Sequence, residues 1–302
     1  MSLIISVQNL RKTYGKTIAV DDISFEVAEG EIFGLLGPNG AGKTTTVECL
    51  QALRHPDAGN IRVLGMDPRT KAQALRRRIG SQLQESALPD RIKVWEALDL
   101  FASVVPEPLD WRALLEQWGL AEKSKASFSS LSGGQKQRLF VALALVNNPE
   151  VVFLDEMTAG LDPAARRVAW DLIGKIRDRG TTVVLVTHFM DEAENLCDRV
   201  AIIDHGKIIA ANTPQGLITR YASEVRVIFT TEKADLAWLE KISGVKKVMR
   251  KGPRVEVTGS GPLLARTAAA LVEHGIIPAD LRAERSTLED VFLKLTGHAA
   301  GD

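Results

Sequence analysis

The chain has little cysteine and histidine and no long apolar run. Cysteine occurs twice, at Cys49 and Cys197, far apart and without metal or redox spacing. That excludes a disulfide scaffold and points to buried thiols in a reducing compartment. His55, His205, His274 and His298 sit in no pattern that suggests ligation or catalysis. The longest apolar run, Leu139 to Val146, falls far short of the ~20 residues needed to cross a bilayer. The apolar N-terminus is broken by Gln8, Asn9, Arg11 and Lys12, which reads as a strand and not a signal peptide. Excess charge is missing too. Lys plus Arg is 38, Asp plus Glu is 38, and the net charge is zero. This removes the simplest electrostatic case for nucleic acid as a partner. What remains is 302 residues with 45% hydrophobic content, which suits a soluble large domain and a second smaller one.

Against that background one stretch stands out: Gly37-Pro38-Asn39-Gly40-Ala41-Gly42-Lys43-Thr44. Before it, Glu31 to Leu36 is short and mostly apolar, as in a buried strand. After it, Thr45 to Leu50 reads as the start of a helix. A glycine-rich loop between strand and helix, with Lys-Thr at this offset, is the context a phosphate-binding P-loop requires. Glycines let successive N–H groups point into one concavity, and the helix N-terminus adds partial positive charge. Lys43 can then reach the outer phosphates, and the Thr44 hydroxyl can ligate Mg²⁺.

Other segments fall into place around it. Leu3 to Val7 and Ile23 to Val27 are expected strands, with a turn near Gly15. Tyr14 in that turn reads equally as an aromatic that stacks on adenine or as a half-buried turn residue. Ile61 to Leu64 and Ile79 to Gln84 are expected strands, and Arg76-Arg77-Arg78 a solvated helix face. From Val94 to about Gly119 the pattern is helical, with Pro106 and Pro108 separating two helices. Leu131-Ser132-Gly133-Gly134-Gln135 opens an apolar helix reaching Val146. Ser132 is a suitable N-cap, and the glycines beside it shape a second site for phosphate oxygens. Val151 to Leu154 is an apolar strand ending in Asp155-Glu156. Carboxylates at such an edge face the crevice where α/β proteins bind ligands. Asp155 is placed for the Mg²⁺ shell and Glu156 for the attacking water. Thr182 to Val186 ends at Thr187-His188, where His188 suits contact with a terminal phosphate. Val200 to Ile203 and Lys207 to Ala210 form a hairpin.

These motifs, in this order, resemble the nucleotide-binding subunits of ATP-binding-cassette (ABC) transporters. Gly37 to Thr44 matches Walker A, Gln84 the Q-loop, and Leu131 to Gln135 the family signature. Val151 to Glu156 matches Walker B, Leu161-Asp162 the D-loop, His188 the switch histidine, and Tyr14 the adenine-stacking position. One departure is Met157, where the family usually has Pro; it removes no chemical group. The resemblance implies an α/β P-loop NTPase over residues 1–221, with a helical subdomain nested at about 85–147. It implies ATP and Mg²⁺ as ligands. Gly37, Asn39, Gly40, Ala41, Gly42, Lys43, Thr44 and Thr45 would hold the nucleotide, with Ser132, Gly133, Gly134, Gln135 and Asp162 capping it. Gln84 would join Thr44 and Asp155 around the cation, and Glu156, His188, Lys43 and Gln84 would carry hydrolysis.

Residues 222–302 resemble the small C-terminal domain of bacterial exporter ATPases that handle drugs, lipids or polysaccharides, notably at Ser286 to Phe292. Glu224 to Phe229 and Arg254 to Val257 alternate like strands. Leu263 to His274 and Leu288 to Leu295 read as helices, with Ser286 and Glu289 as a capping box. This small α+β unit is expected to regulate or to contact a dimer partner. The resemblance further implies a head-to-tail pair of such subunits, an integral membrane permease docked on the helical insertion, and a place on the inner face of the cell membrane. The alternative is a soluble ABC-type ATPase switch without a membrane partner. Repair-type members carry a long coiled coil, for which Gln84 and Ser132 lie too close, and ribosome-type members carry two cassettes.

Overall fold

The structure is a computed structural model that describes residues 2–83, 87–222 and 224–297. β1 (Leu3–Tyr14) and β2 (Thr17–Ala28) pair antiparallel around Gly15. Both run longer than expected. Register irregularities past Val7 and Leu10 break the apolar alternation while the hydrogen bonding continues. β3 (Ile32–Leu36) is buried at every residue and leads through the glycine loop into α1 (Lys43–Leu50). β4 (Ala58–Val63) joins β1 to complete a three-stranded sheet.

The chain continues through α2 (Ala72–Arg76), β5 (Ile79–Gln82), α3 (Val94–Ser103) and α4 (Trp111–Gln117). Pro106 and Pro108 lie between the last two. α5 (Gly133–Leu145), β6 (Val151–Asp155) and α6 (Pro163–Asp178) follow. Then come β7 (Thr182–Thr187), α7 (Met190–Leu196), β8 (Arg199–Asp204) and β9 (Lys207–Asn212). A six-stranded sheet has the order β5-β6-β7-β3-β8-β9, parallel except for β9. β3, β6 and β7 are buried throughout, as strands covered on both faces must be. Phe25 of β2 stacks on Phe33 of β3, with centroids 5.3 Å apart, so one core joins the two sheets. In the helical insertion Trp118 is fully buried, and Arg138 of α5 donates to its carbonyl at 3.2 Å.

Internal contacts divide the chain after Pro214 into two units. The division assigns nearly all of α8 (Pro214–Tyr221) to the C-terminal unit, where residues 222–302 were expected. That unit comprises β10 (Val225–Thr230), β11 (Val245–Lys251), β12 (Arg254–Gly259), α9 (Leu263–Glu273), β13 (Arg282–Arg285) and α10 (Leu288–Thr296). Its sheet has the order β11-β12-β10-β13. The capping box at α10 is Thr287 with Asp290, not Ser286 with Glu289. The Ser286 hydroxyl instead donates to the Glu224 carbonyl at 2.8 Å.

Gly80 of β5 passes close to α5: a Cβ there would sit 2.0 Å from the Ala144 carbonyl oxygen. Gly80→Ala is therefore expected to cost about 1–3 kcal/mol, since neither backbone can yield freely. Thermal unfolding should show a lower midpoint for the N-terminal unit. An unchanged midpoint would mean that the two backbones do not meet.

Candidate functional site

The loop after β3 is shaped by close backbone approach. At Gly37 a Cβ would lie 2.2 Å from the Ile203 carbonyl oxygen, and at Gly42 2.2 Å from that of Ala19. Gly42 also takes a φ of 102°, which only glycine adopts without strain. The Ala41 amide donates to Pro38 and the Gly206 amide to Ala41, which ties the loop to the β8–β9 hairpin. Asn39, Gly40 and Thr44 are exposed at its mouth, Thr45 is half-buried, and Ala41 is buried. The buried Lys43 ammonium donates to the Gly37 and Pro38 carbonyls at 2.8 and 2.9 Å. Burial lowers its pKa, opposed by Glu156 and Asp155.

Those acids stand at the end of β6. Asp155 is buried; its Oδ2 accepts from the Thr44 hydroxyl at 3.3 Å. Its Oδ1 is buried with no hydrogen-bond partner, a costly state for a carboxylate oxygen. Burial, reinforced by the adjacent Glu156, pushes the Asp155 pKa up from 3.8 to about 6. Glu156 follows in a left-handed conformation, φ 49°, and its amide donates to the Val186 carbonyl of β7 at 2.9 Å. Glu156 Oε1 lies 3.2 Å from His188 Nδ1. Met157 lacks the fixed φ of a proline; it is fully buried, so packing holds the turn.

A second group lies at α5 and α6. Ser132 caps α5 with its hydroxyl accepting from the Gln135 amide, while Gln135 Oε1 accepts from the Ser132 amide at 2.9 Å. Gly133 and Gly134 occupy the first helical positions, where amides have no partner within the helix. Asp162 caps α6, accepting from the Ala164 and Ala165 amides at 3.0 and 2.9 Å. Ser132, Gly133, Gly134 and Asp162 line one cavity of about 400 Å³. No residue of the Gly37–Thr44 loop lines it.

The structure thus gathers Lys43, Thr44, Asp155, Glu156 and His188 in one group and the serine-glycine turn with Asp162 in another. Gln84 lies outside the described residues. Tyr14 ends β1 and is 41% exposed. The charged ends of Lys12 and Arg54 lie 5.6 and 5.5 Å from its ring centre. These two flanking cations were not legible in the sequence, because Arg54 reaches the ring from beyond α1. A groove of about 870 Å³ likewise has no local signature in the sequence. Leu53, Gln82, Leu83, Phe101, Val104 and Phe140 are among its walls. Val104 is 78% exposed.

A family model described as ABC transporter matches residues 20–159. The chain is 38% identical over 308 residues to the Nod factor export ATP-binding protein I of Mesorhizobium japonicum, covering 98% of this chain and 87% of the relative. It is 38% identical over 304 residues to a daunorubicin resistance ATP-binding protein of Streptomyces coeruleorubidus, covering 97% of this chain and 96% of the relative. Among solved structures it resembles an ATP-binding subunit of an ABC transporter, with a TM-score of 0.66 and 26% identity over 72% of this chain and 93% of the other. It also resembles a dimeric ATP-binding cassette in a post-hydrolysis state bound to ADP and Pi, with a TM-score of 0.64 and 25% identity, covering 69% of this chain and 98% of the other.

The raised pKa of Asp155 has a measurable consequence. Between 3.8 and about 6 the folded carboxyl holds a proton that the unfolded chain has released. Stability from this group is therefore present at low pH and lost as pH rises through about 6. In nucleotide-free protein, Asp155→Asn is expected to raise stability at pH 8 by up to about 3 kcal/mol, a gain that fades towards pH 4. Thermal melts of both proteins at the two pH values check this. A gain independent of pH would remove the ionised carboxylate as its cause.

Proposed function

The chain belongs to the ABC transporter family of ATP-binding subunits, and on that premise we propose that it hydrolyses ATP to drive export through a separate membrane subunit. The nucleotide's phosphates lie on the Gly37–Thr44 loop, and Tyr14 stacks on the adenine. Asn39, Gly40, Ala41 and Thr45 complete the cradle. Lys43 turns from the loop carbonyls to the outer phosphates.

The residues at the β6 edge fit Mg²⁺. An unpartnered carboxylate oxygen on Asp155 beside the Thr44 hydroxyl is a hard-oxygen donor set of the kind this ion prefers. Thr44 and Asp155 would hold it, with Gln84 as a further ligand. Among the described residues no three His, Cys, Asp or Glu side chains group as a metal site. Most of the coordination would then come from phosphate and water, as is usual for Mg²⁺. When bound, the ion neutralises charge on the phosphates. Glu156 orients and deprotonates the attacking water, and His188 contacts the γ-phosphate. Catalysis is mainly positioning and charge stabilisation.

The observation that carries the reading is the cavity at Ser132 and Asp162, which holds no residue of the phosphate loop. One copy therefore supplies half of a grip. In a two-fold dimer, Ser132, Gly133, Gly134 and Gln135 cap the γ-phosphate held on the partner's Lys43, with Asp162 beside them. ATP stabilises the closed pair by mass action, and hydrolysis removes the bridging phosphate so the halves part.

Among the described residues no helix is long and apolar enough to cross a membrane. Transport then requires a separate integral membrane permease. The groove between α3, α5 and β5 suits its docking: it is wide, apolar at Phe101 and Val104, and reaches Gln82 and Leu83, next to Gln84. The subunit works at the cytoplasmic face of the cell membrane. Relatives named for Nod factor export and daunorubicin resistance support an outward direction. The C-terminal unit carries regulation or dimer contact.

Glu156→Gln is expected to bind ATP, to lose roughly 10²–10⁴-fold in turnover and to accumulate as a dimer with ATP. Steady-state hydrolysis and size-exclusion chromatography read both effects. Near-normal turnover would remove Glu156 from the role, and an ATP-bound variant that stays monomeric would remove the shared grip.

A further inference from the structure

Glu192 on α7 is completely buried, although neither the motifs nor the mechanism above use it. A carboxylate in that position is costly, and an apolar side chain of similar size would ordinarily serve a core better. Its surroundings show what it joins. Trp170 Nε1 of α6 donates to Glu192 Oε1 at 3.2 Å. The Thr158 and Thr187 hydroxyls act on the same carboxylate and partly offset the rise in pKa that burial imposes, as does the nearby Arg166 charge. Even so, Glu192 Oε2 and the Thr158 hydroxyl have no hydrogen bond of good geometry. The cluster is close but not fully closed.

Each partner belongs to a segment of the hydrolytic site. Thr158 lies two residues beyond Glu156, and its carbonyl accepts from the Leu161 amide, just before Asp162. Thr187 directly precedes His188, and its hydroxyl accepts from the Phe189 amide at 3.0 Å. Trp170 lies on α6, the helix that Asp162 caps. One buried side chain therefore joins the helix that follows His188 to the helix that Asp162 caps.

We propose that Glu192 is a positioning residue for hydrolysis: by accepting from Trp170 it ties α7, the helix that follows His188, to α6, the helix that Asp162 caps, and so holds His188 in place against Glu156. This rests on the reading of Glu156 and His188 as the hydrolytic pair. Its action is geometric, so its loss should appear in turnover and not in ATP binding.

The test uses the full chain, with steady-state hydrolysis and ATP binding measured on the same preparations. Glu192→Leu should lower kcat by roughly 10–100-fold, the scale of a small misplacement at a reacting centre, with ATP affinity and stoichiometry within about threefold of wild type. Glu192→Gln, which keeps an acceptor for Trp170 and a donor besides, should recover most of that loss. Added to Glu156→Gln, Glu192→Leu should bring little further loss, since residues acting as a unit are not additive. Wild-type kcat in Glu192→Leu, an equal fall in binding, or a fully multiplicative loss in the double variant would overturn the proposal. Should Glu192→Leu not fold, Trp170→Phe, which removes the indole N–H that Glu192 accepts, carries the same expectation of a kcat-selective loss, and wild-type kcat in it overturns the proposal. If instead the wild type does not hydrolyse ATP, or Glu156→Gln is as active as wild type, the assignment of the hydrolytic pair fails and this inference falls with it.

Discussion

The site depends on β7 being hydrogen-bonded between β3 and β6. That pairing sets Leu36 beside Thr187 and Asp155 beside Val186, so the Gly37–Thr44 loop, the paired acids and His188 leave the sheet at one edge. Strands buried on both faces lack the alternation that normally specifies register. Here the ends supply it. The Gly30 amide donates to the Thr182 hydroxyl at 2.9 Å, the Thr182 amide to Glu150, and the Glu156 amide to Val186. A slip of one residue would separate Glu156 from His188.

The same edge concentrates groups that folding alone would avoid. Lys43 and Asp155 are both buried, and burial pushes the two pKa values towards their neutral forms. Each partly relieves the other, yet Asp155 keeps one oxygen without a partner. Such strain is typical where a protein keeps charge ready for a ligand and gives up some stability to do so.

Much of this was legible because glycine loops, apolar strands and helix caps have local signatures. Gly37 to Thr44 does stand between a strand and a helix, and Val151 to Asp155 and Thr182 to Thr187 are adjacent buried strands. The remainder is tertiary. β11 and β13 read Val-Lys-Lys-Val-Met-Arg-Lys and Arg-Ala-Glu-Arg; their charges hide a pairing that comes from β12 and β10. The cap of α10 is Thr287, one residue after the expected Ser286, whose hydroxyl bonds Glu224 instead. Glu192 sits in a run, Asp191-Glu192-Ala193-Glu194, that looks like a solvated helix start. Only the packing of α6 against α7 reveals that one acid of that run points inward.

The separation of the serine-glycine turn from the phosphate loop has a consequence for how much the cell makes. If two polypeptides must each lend half of a working centre, activity per molecule climbs with abundance and collapses on dilution. Scarcity alone would then idle the machine and spare fuel while the permease is lacking. An assembly that holds two copies side by side would free them from that dependence by raising their local concentration.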